Sequence, residues 1–338
     1  MNKLQLNSNR NLTDALLHYL WRNWSALGVA GNVEPENKKI IDPEALLLLT
    51  CSVGRCDQRL FDEVTDWLTA NWELVNINRL KNMLKRYQWS GKEALHPLAA
   101  WLIEHQKKFT KWKSLAELPV KQTSETPFFM DRDAVKAPLF GELEPIFLRY
   151  GFSRGMVHLR GYSRSFQKEN PACLLLALRS FLGTNVRAEI MAYLLTHPKG
   201  AHPTGIANNI SYYQKTAQNA LTSMKKSQWV NCREAGFEKI YSLSSSVAES
   251  FTGKKKPQLQ WVNLSPIYCL IEKVWEATHD ENFSALSPEI QSIEMREAVM
   301  LFAKEIHTPP FSQILSGESK GKNFVDALIE GVLNFIEE

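Results

Sequence analysis

The chain has 338 residues, and its 40 lysines and arginines nearly balance its 36 aspartates and glutamates, which leaves a net charge of +4. This length allows two or three domains with separate cores. No apolar run is long enough to cross a bilayer, and the first ten residues lack the apolar stretch of an export signal, so we expect a cytoplasmic protein without membrane contact.

Charge is unevenly distributed along the chain. Residues 187–256 hold ten basic and four acidic residues, whereas residues 257–338 hold five basic and thirteen acidic ones. A basic segment followed by an acidic one indicates that the first contacts phosphates and the second contacts protein.

Residues 1–118 are predicted to form an N-terminal helical domain. Asp42 precedes a proline and Asp57 precedes an amphipathic stretch, so both are expected to cap helices. Either Asn76 or Asn78 is expected to open the next helix. Thr13 is the predicted cap of the first helix, which would end near Gly28.

The predicted helix after Asn76 has a polar and basic outer face, formed by Asn78, Arg79, Lys81, Asn82, Lys85 and Arg86. A helical bundle with a solvated surface explains this face, and so does a second helix-turn-helix. We favour the bundle, because this stretch carries no helix-turn-helix signature.

Residues 119–168 are predicted to be a linker followed by an arginine-rich segment. Turn-forming residues and mixed charge characterise the first part. The second part, residues 149–164, contains no acid and holds Arg149, Arg154, Arg160 and Arg164 among aromatic residues. These arginines either make additional contacts to DNA or lie on the wet side of a short strand through residues 156–160, and both interpretations stay open.

Residues 169–256 begin with two helix starts. Asn170 and Pro171 open a buried helix that is expected to end at Gly183, and Asn185 opens the next one. A further helix start is expected at His202. The apolar residues that follow have the spacing of two short amphipathic helices joined by a tight turn: Ile206, Ala207, Ile210, Ala217, Ala220, Leu221 and Met224. Two alternating stretches around a glycine turn then predict a β-hairpin between residues 229 and 243.

This pattern resembles the helix-turn-helix of bacterial winged-helix regulators, whose signature I-A-x-x-L-x-x-S-x-x-T-V-x-x-x-L-x-x-L-x-x-x-G-L-V aligns with residues 206–230 without a gap. Ile206, Ala207, Thr216, Leu221 and Val230 match, Ile210 and Met224 are conservative replacements, and Tyr213, Ala217, Gln228 and Trp229 depart from it. The resemblance implies a mostly α fold with a central winged helix-turn-helix (169–256) and a small β-wing, flanked by N- and C-terminal helical domains.

The second helix of such a motif enters the major groove of DNA. Here this helix starts near Tyr213. Its outward-facing residues are the expected base contacts, because Gln and Asn pair with adenine and Lys pairs with guanine. They are Gln214, Lys215, Gln218, Asn219 and Thr222. Phosphate contacts are expected from Tyr212, Tyr213, Lys225, Lys226, Arg233 and Lys239.

Residues 257–338 are predicted to form an acidic C-terminal helical domain. Helix starts are expected at Ser265-Pro266 and Ser287-Pro288, and a break at Pro309-Pro310. A final amphipathic helix is expected from Phe324 to Phe335.

The motifs of common enzyme classes are missing from the sequence. It contains no phosphate-binding P-loop, no dinucleotide fingerprint, no H-E-x-x-H pair and no G-x-S-x-G elbow. The five cysteines are scattered, and Cys51 and Cys56 have no second ligand pair nearby to complete a zinc site. We therefore expect no catalysis, no metal and no cofactor.

The predicted function is sequence-specific binding of double-stranded DNA by a homodimeric transcriptional regulator. The alternative is a protein-interaction subunit, such as an antitoxin-like or defence-system partner, in which the winged helix packs on protein.

Overall fold

The structure, a computed structural model, describes residues 3–106, 109–116, 125–133, 135, 141–236, 238–252, 259–317 and 324–337. The described chain is mostly helical, with two small two-stranded sheets. Parts of the predicted linker lie outside the described residues. None of the described helices combines the length and apolar character needed to cross a membrane.

The N-terminal helices are α1 (Lys3–Ala26), α2 (Pro43–Ser52), α3 (Gln58–Asn71), α4 (Ile77–Arg86), α5 (Lys92–His105) and α6 (Pro145–Arg149). Short 3₁₀ helices lie at Val53–Cys56, Trp72–Leu74 and Thr110–Leu115. Strands β1 (Thr126–Pro127) and β2 (Phe152–Ser153) pair in parallel.

The central elements are a 3₁₀ helix (Pro171–Cys173), α7 (Leu174–Leu182), α8 (Val186–Thr196), α9 (Pro203–Asn209), α10 (Gln214–Lys226), β3 (Val230–Ala235), β4 (Glu238–Leu243) and α11 (Ser245–Thr252). Strands β3 and β4 form an antiparallel hairpin in which Val230 faces Leu243. The C-terminal elements are α12 (Leu264–His279), α13 (Glu281–Ala285), α14 (Pro288–Val299), a 3₁₀ helix (Met300–Phe302), α15 (Phe311–Leu315) and α16 (Phe324–Glu337).

The predicted caps at Asp42 and Asp57 are confirmed, and of the two candidates for α4 it is Asn76, not Asn78, that caps the helix. Each side chain accepts a hydrogen bond from a backbone N–H in the first turn of its helix, at 3.1 Å in all three cases. The predicted start at Thr13 is wrong, because α1 begins at Lys3 and Thr13 is buried within it. The hydroxyl of Thr13 accepts a hydrogen bond from the Trp275 indole (3.1 Å), so it joins two helices instead of capping one.

Two hydrophobic clusters organise the described chain. The first contains residues of α1–α6 and of α12, α14, α15 and α16, so the helices near both ends of the chain share one apolar core. Within it, the rings of Trp24 and Trp67 lie 5.2 Å apart, and the hydroxyls of Tyr19 and Tyr268 are 2.8 Å apart. The second cluster unites α7–α10 and the hairpin, and it also includes Ile40.

Candidate nucleic-acid interface

Helix α10 has one buried face and one exposed face. Ala217, Ala220, Leu221 and Met224 are buried, and the last three belong to the second apolar cluster. Spacings of three and four residues place these side chains on one side of the helix. The five predicted base-contacting side chains are all exposed: Gln214, Lys215, Gln218, Asn219 and Thr222.

Both α9 and α10 end at a residue in the left-handed conformation. Ser211 has φ 58° and Gln228 has φ 62°. The following amides, of Tyr212 and Trp229, donate back to carbonyls five residues earlier, at 3.0 and 3.1 Å, which is the Schellman arrangement. Residue 228 is glycine in the winged-helix signature, so the backbone here adopts the conformation that glycine favours even though the side chain differs.

The hairpin is fastened to the helices by a short backbone bridge. Ala201, in the loop between α8 and α9, exchanges two 3.0 Å backbone hydrogen bonds with Tyr241 of β4. Gly200 permits this approach, because it has φ 78° and a side chain there would collide with the Tyr241 carbonyl oxygen. The three helices α8–α10 and the hairpin therefore form one connected unit.

Most of the predicted phosphate-contacting residues lie on the surface: Tyr213, Lys225, Lys226, Arg233 and Lys239 are exposed. Glu234 lies directly across the hairpin from Lys239, which lowers the positive charge at that point. Tyr212 differs, because its hydroxyl accepts a 2.5 Å hydrogen bond from Asn76, and burial raises its pKa. Its polar atom is therefore engaged inside the protein.

A groove of about 340 Å³ separates the start of α10 from the basic face of α4. Lys85 and Arg86 line one side, and Tyr213 and Gln214 line the other. Asn82 fixes the spacing by donating to the Ser211 carbonyl at 3.3 Å. The sequence shows these lysine and arginine residues as the polar face of α4 but gives no sign that they lie beside α10.

A buried charged cluster joins this groove to the core. The Arg79 guanidinium donates to the carboxylates of Asp42 and Glu44 (2.6 Å each from Nη1) and to the Ile210 carbonyl (2.9 Å) in the turn between α9 and α10. Arg179 of α7 binds Glu44 and also Glu189 of α8, at 2.7 Å each. These five charged side chains are buried and connect α2, α4, α7 and α8.

The ion pairs keep the cluster charged although it is buried. Burial by itself raises the pKa of Asp42, but the adjacent Arg79 guanidinium outweighs burial and holds this pKa below its usual value. Burial also acts to lower the pKa of Arg79, and the two carboxylates reverse that effect and raise it. A solvated face was predicted for Arg79, and that prediction is wrong because α2 and the α9–α10 turn cover the side chain.

The arginine-rich segment packs mainly against α3 and α5. Arg154 is fully buried, pairs with Asp62 at 2.6 Å and lies over the Phe129 ring, so its guanidinium has no surface to offer DNA. Arg149 pairs with Glu104, and Arg160 pairs with Glu63 at 3.1 Å. Arg164 is exposed.

The alternative of a strand through residues 156–160 is wrong, because no strand forms there and β2 covers only Phe152–Ser153. The amide of Met156 donates to the backbone carbonyl of Glu142 at 3.2 Å, and carboxylates bind the amides that follow, up to Ser163. Glu144 lies 3.4 Å from the amide of Val157, and Asp66 accepts hydrogen bonds from the amides of Gly161 and Ser163 at 3.1 and 3.0 Å.

Cys51 and Cys56 are buried as free thiols, and burial raises the pKa of Cys56 to about 12. Among the described residues, no three His, Cys, Asp or Glu side chains come close enough together to hold a metal ion.

No protein-family model, curated protein or solved structure matches this chain.

Proposed function

We propose that the chain is a sequence-specific DNA-binding protein of the winged-helix class, which acts in transcriptional control and reads the major groove with α10. The observation that carries this proposal is the exposed face of α10, where two glutamines, an asparagine, a lysine and a threonine lie together. These are the side-chain types that recognise base edges, and each good bidentate pair discriminates by about 1–3 kcal/mol.

The surroundings of α10 support the same function. Exposed Lys225 and Lys226 lie at its end, Arg233 lies on the hairpin, and Lys85 lies across the groove from its start. Basic side chains on both sides of a recognition helix suit the two phosphate backbones that border a major groove. The proposed footprint thus includes α4, α10 and the hairpin.

The turn before α10 is held rigidly, which suits a reading helix. Arg79 and Asn82 bind successive carbonyls of this turn, those of Ile210 and Ser211. A helix whose start is fixed by buried hydrogen bonds keeps its side chains in register with the bases.

The test uses the full chain and a fluorescent duplex obtained by selection from a random library. Affinity is measured by fluorescence anisotropy between 50 and 200 mM salt. When binding depends on phosphate contacts, affinity falls steeply as salt rises, and the slope of log affinity against log salt concentration is about −0.9 per contact. Lys85→Ala is expected to reduce the slope by about one and to weaken binding to all sequences alike. Lys215→Ala is expected to weaken binding to the selected duplex more than to a random one.

Lys168→Ala is the matched control, because Lys168 is an exposed lysine of the segment that precedes α7. It should leave both affinity and slope unchanged. Absence of binding to any duplex at 50 mM salt contradicts the proposal and leaves the protein-interaction subunit as the better alternative.

The homodimer stays a prediction. Two half-sites one helical turn apart require two copies of α10. The C-terminal part offers exposed apolar residues for such a contact, since Ile290 and Ile293 lie one turn apart on α14 and Met300 and Leu301 follow it.

A further inference from the structure

A second cavity, of about 730 Å³, lies between the loop after α1 and the end of the arginine-rich segment. Its lining includes Arg59 of α3 and Arg164, and none of its lining residues is a carboxylate. Neither arginine forms a salt bridge within the part of the chain that the structure describes. The two guanidinium groups give the cavity positive charge, and the Arg59 guanidinium also lies over the Trp21 ring, 5.5 Å from its centroid.

The wall of this cavity is fixed in place from two sides. Gly28 has φ 104°, and its carbonyl accepts a 2.9 Å hydrogen bond from the Arg164 amide. A side chain at Gly28 would collide with the carbonyl oxygen of Arg164, so only glycine allows the two segments to approach this closely. On the other side, the carboxylate of Asp66 binds the amides of Gly161 and Ser163. The cavity is thus preorganised, which lowers the cost of binding a ligand.

Two serine hydroxyls in the lining lack a hydrogen-bond partner. The Oγ atoms of Ser25 and Ser163 are buried, and neither bonds to any of the described residues. Ser25 as a whole is 94% buried. Both oxygen atoms have almost no solvent-accessible surface, so it is the arginines of the lining, and not these hydroxyls, that face a ligand in the cavity.

An aromatic ring lies beside these polar groups. Tyr162 is 59% exposed and belongs to the lining. The guanidinium of Arg160 covers one face of its ring at 5.1 Å, and a planar ligand group can stack on the other face.

We propose that this cavity binds a phosphate monoester that carries a planar ring, such as a mononucleotide. Arg59 and Arg164 contact the phosphate, because a guanidinium donates two parallel hydrogen bonds to phosphate oxygens. The ring of the ligand stacks on Tyr162. This site is independent of the proposed DNA interface.

The experiment is isothermal titration of the full chain with AMP, adenosine and inorganic phosphate, in the absence of DNA. AMP is expected to bind best, because only AMP offers both the phosphate and the ring. Arg59→Gln and Arg164→Gln should each weaken AMP binding about tenfold, the loss expected for one charge-assisted pair. Tyr162→Ala should weaken AMP binding but leave inorganic phosphate binding unchanged.

Arg187→Gln, which changes an exposed arginine of α8 outside the cavity, is the matched control and should bind AMP as the unmodified chain does.

Four results would overturn the proposal. One is the absence of AMP and phosphate binding at millimolar concentration, and another is unchanged AMP affinity in a folded Arg59→Gln/Arg164→Gln double variant. The third is adenosine binding as tightly as AMP, since the phosphate would then make no contribution. Displacement of AMP by a short DNA duplex would reassign the cavity to the DNA interface and would also overturn it.

Discussion

Replacing Arg79 with methionine tests whether the buried charged cluster holds the unit containing α10 onto the N-terminal helices. Methionine has a similar length and fills part of the space, but it leaves Asp42 without its bidentate partner. Glu44 keeps Arg179, whose two nitrogens lie 2.7 and 2.8 Å from its oxygens. Removal of one member of a buried ion pair costs about 3–5 kcal/mol. Because Glu44 stays paired, we expect a loss near the lower limit, about 3 kcal/mol.

The loss is measured by urea unfolding, followed by tryptophan fluorescence and circular dichroism. Arg86→Met is the matched control on the same helix, because the ion pair of Arg86 with Glu305 (3.0 Å) is partly exposed, and such pairs contribute about 0–1 kcal/mol. Equal losses for the two variants, or a loss for Arg79→Met below about 1 kcal/mol, would refute the reasoning that buried pairing determines the cost.

Further predictions concern a helix end, a buried carboxyl and the dimer. Gln228→Gly should raise the free energy of unfolding by about 0.5–1 kcal/mol, because glycine adopts the left-handed backbone conformation without strain. Gln218→Gly, inside α10, should lower the free energy of unfolding by about 1 kcal/mol. A loss of stability in both variants contradicts this prediction. Burial raises the pKa of Glu272 from 4.5 to about 7. The stabilisation that comes from protonated Glu272 is therefore fully present below pH 4.5 and is lost as pH rises to about 7. In this window the free energy of unfolding of the unmodified chain should fall, relative to that of Glu272→Gln, by about 1.4 kcal/mol per pH unit. A difference between the two proteins that does not vary with pH contradicts this prediction. For the dimer, Ile293→Glu should halve the molecular mass measured by light scattering. Ile293 is 57% exposed, and a charged side chain is unfavourable inside an apolar contact. A variant that still forms the dimer places the contact elsewhere.

The parts of the fold that the sequence predicted correctly depend on local signals. Asp42, Asp57 and Asn76 each accept a hydrogen bond from the amide three residues further on, so a short window of sequence contains the whole interaction. The exposed face of α10 follows from periodicity within thirteen residues. The hairpin follows from alternation around a turn.

The parts that the sequence missed depend on contacts between distant segments. Arg79 and Arg154 look like surface residues in the sequence, and only the positions of Asp42, Glu44 and Asp62 in space explain their burial. The proximity of Lys85 to the start of α10 has the same origin, since more than a hundred residues separate them. The start of α1 was misplaced because Thr13 has the chemistry of a cap but is used in packing.

The central claim is that α10 reads base edges, and base preference tests this most directly. Binding sites would be selected from a random duplex library with the unmodified chain and with Gln218→Ala, at the same salt concentration. If α10 reads base edges, the variant loses base preference at one or two adjacent positions, worth about 1–3 kcal/mol, and retains the preference at the rest of the site. Identical base preferences for the two proteins, or no enriched sequence for either, would contradict it.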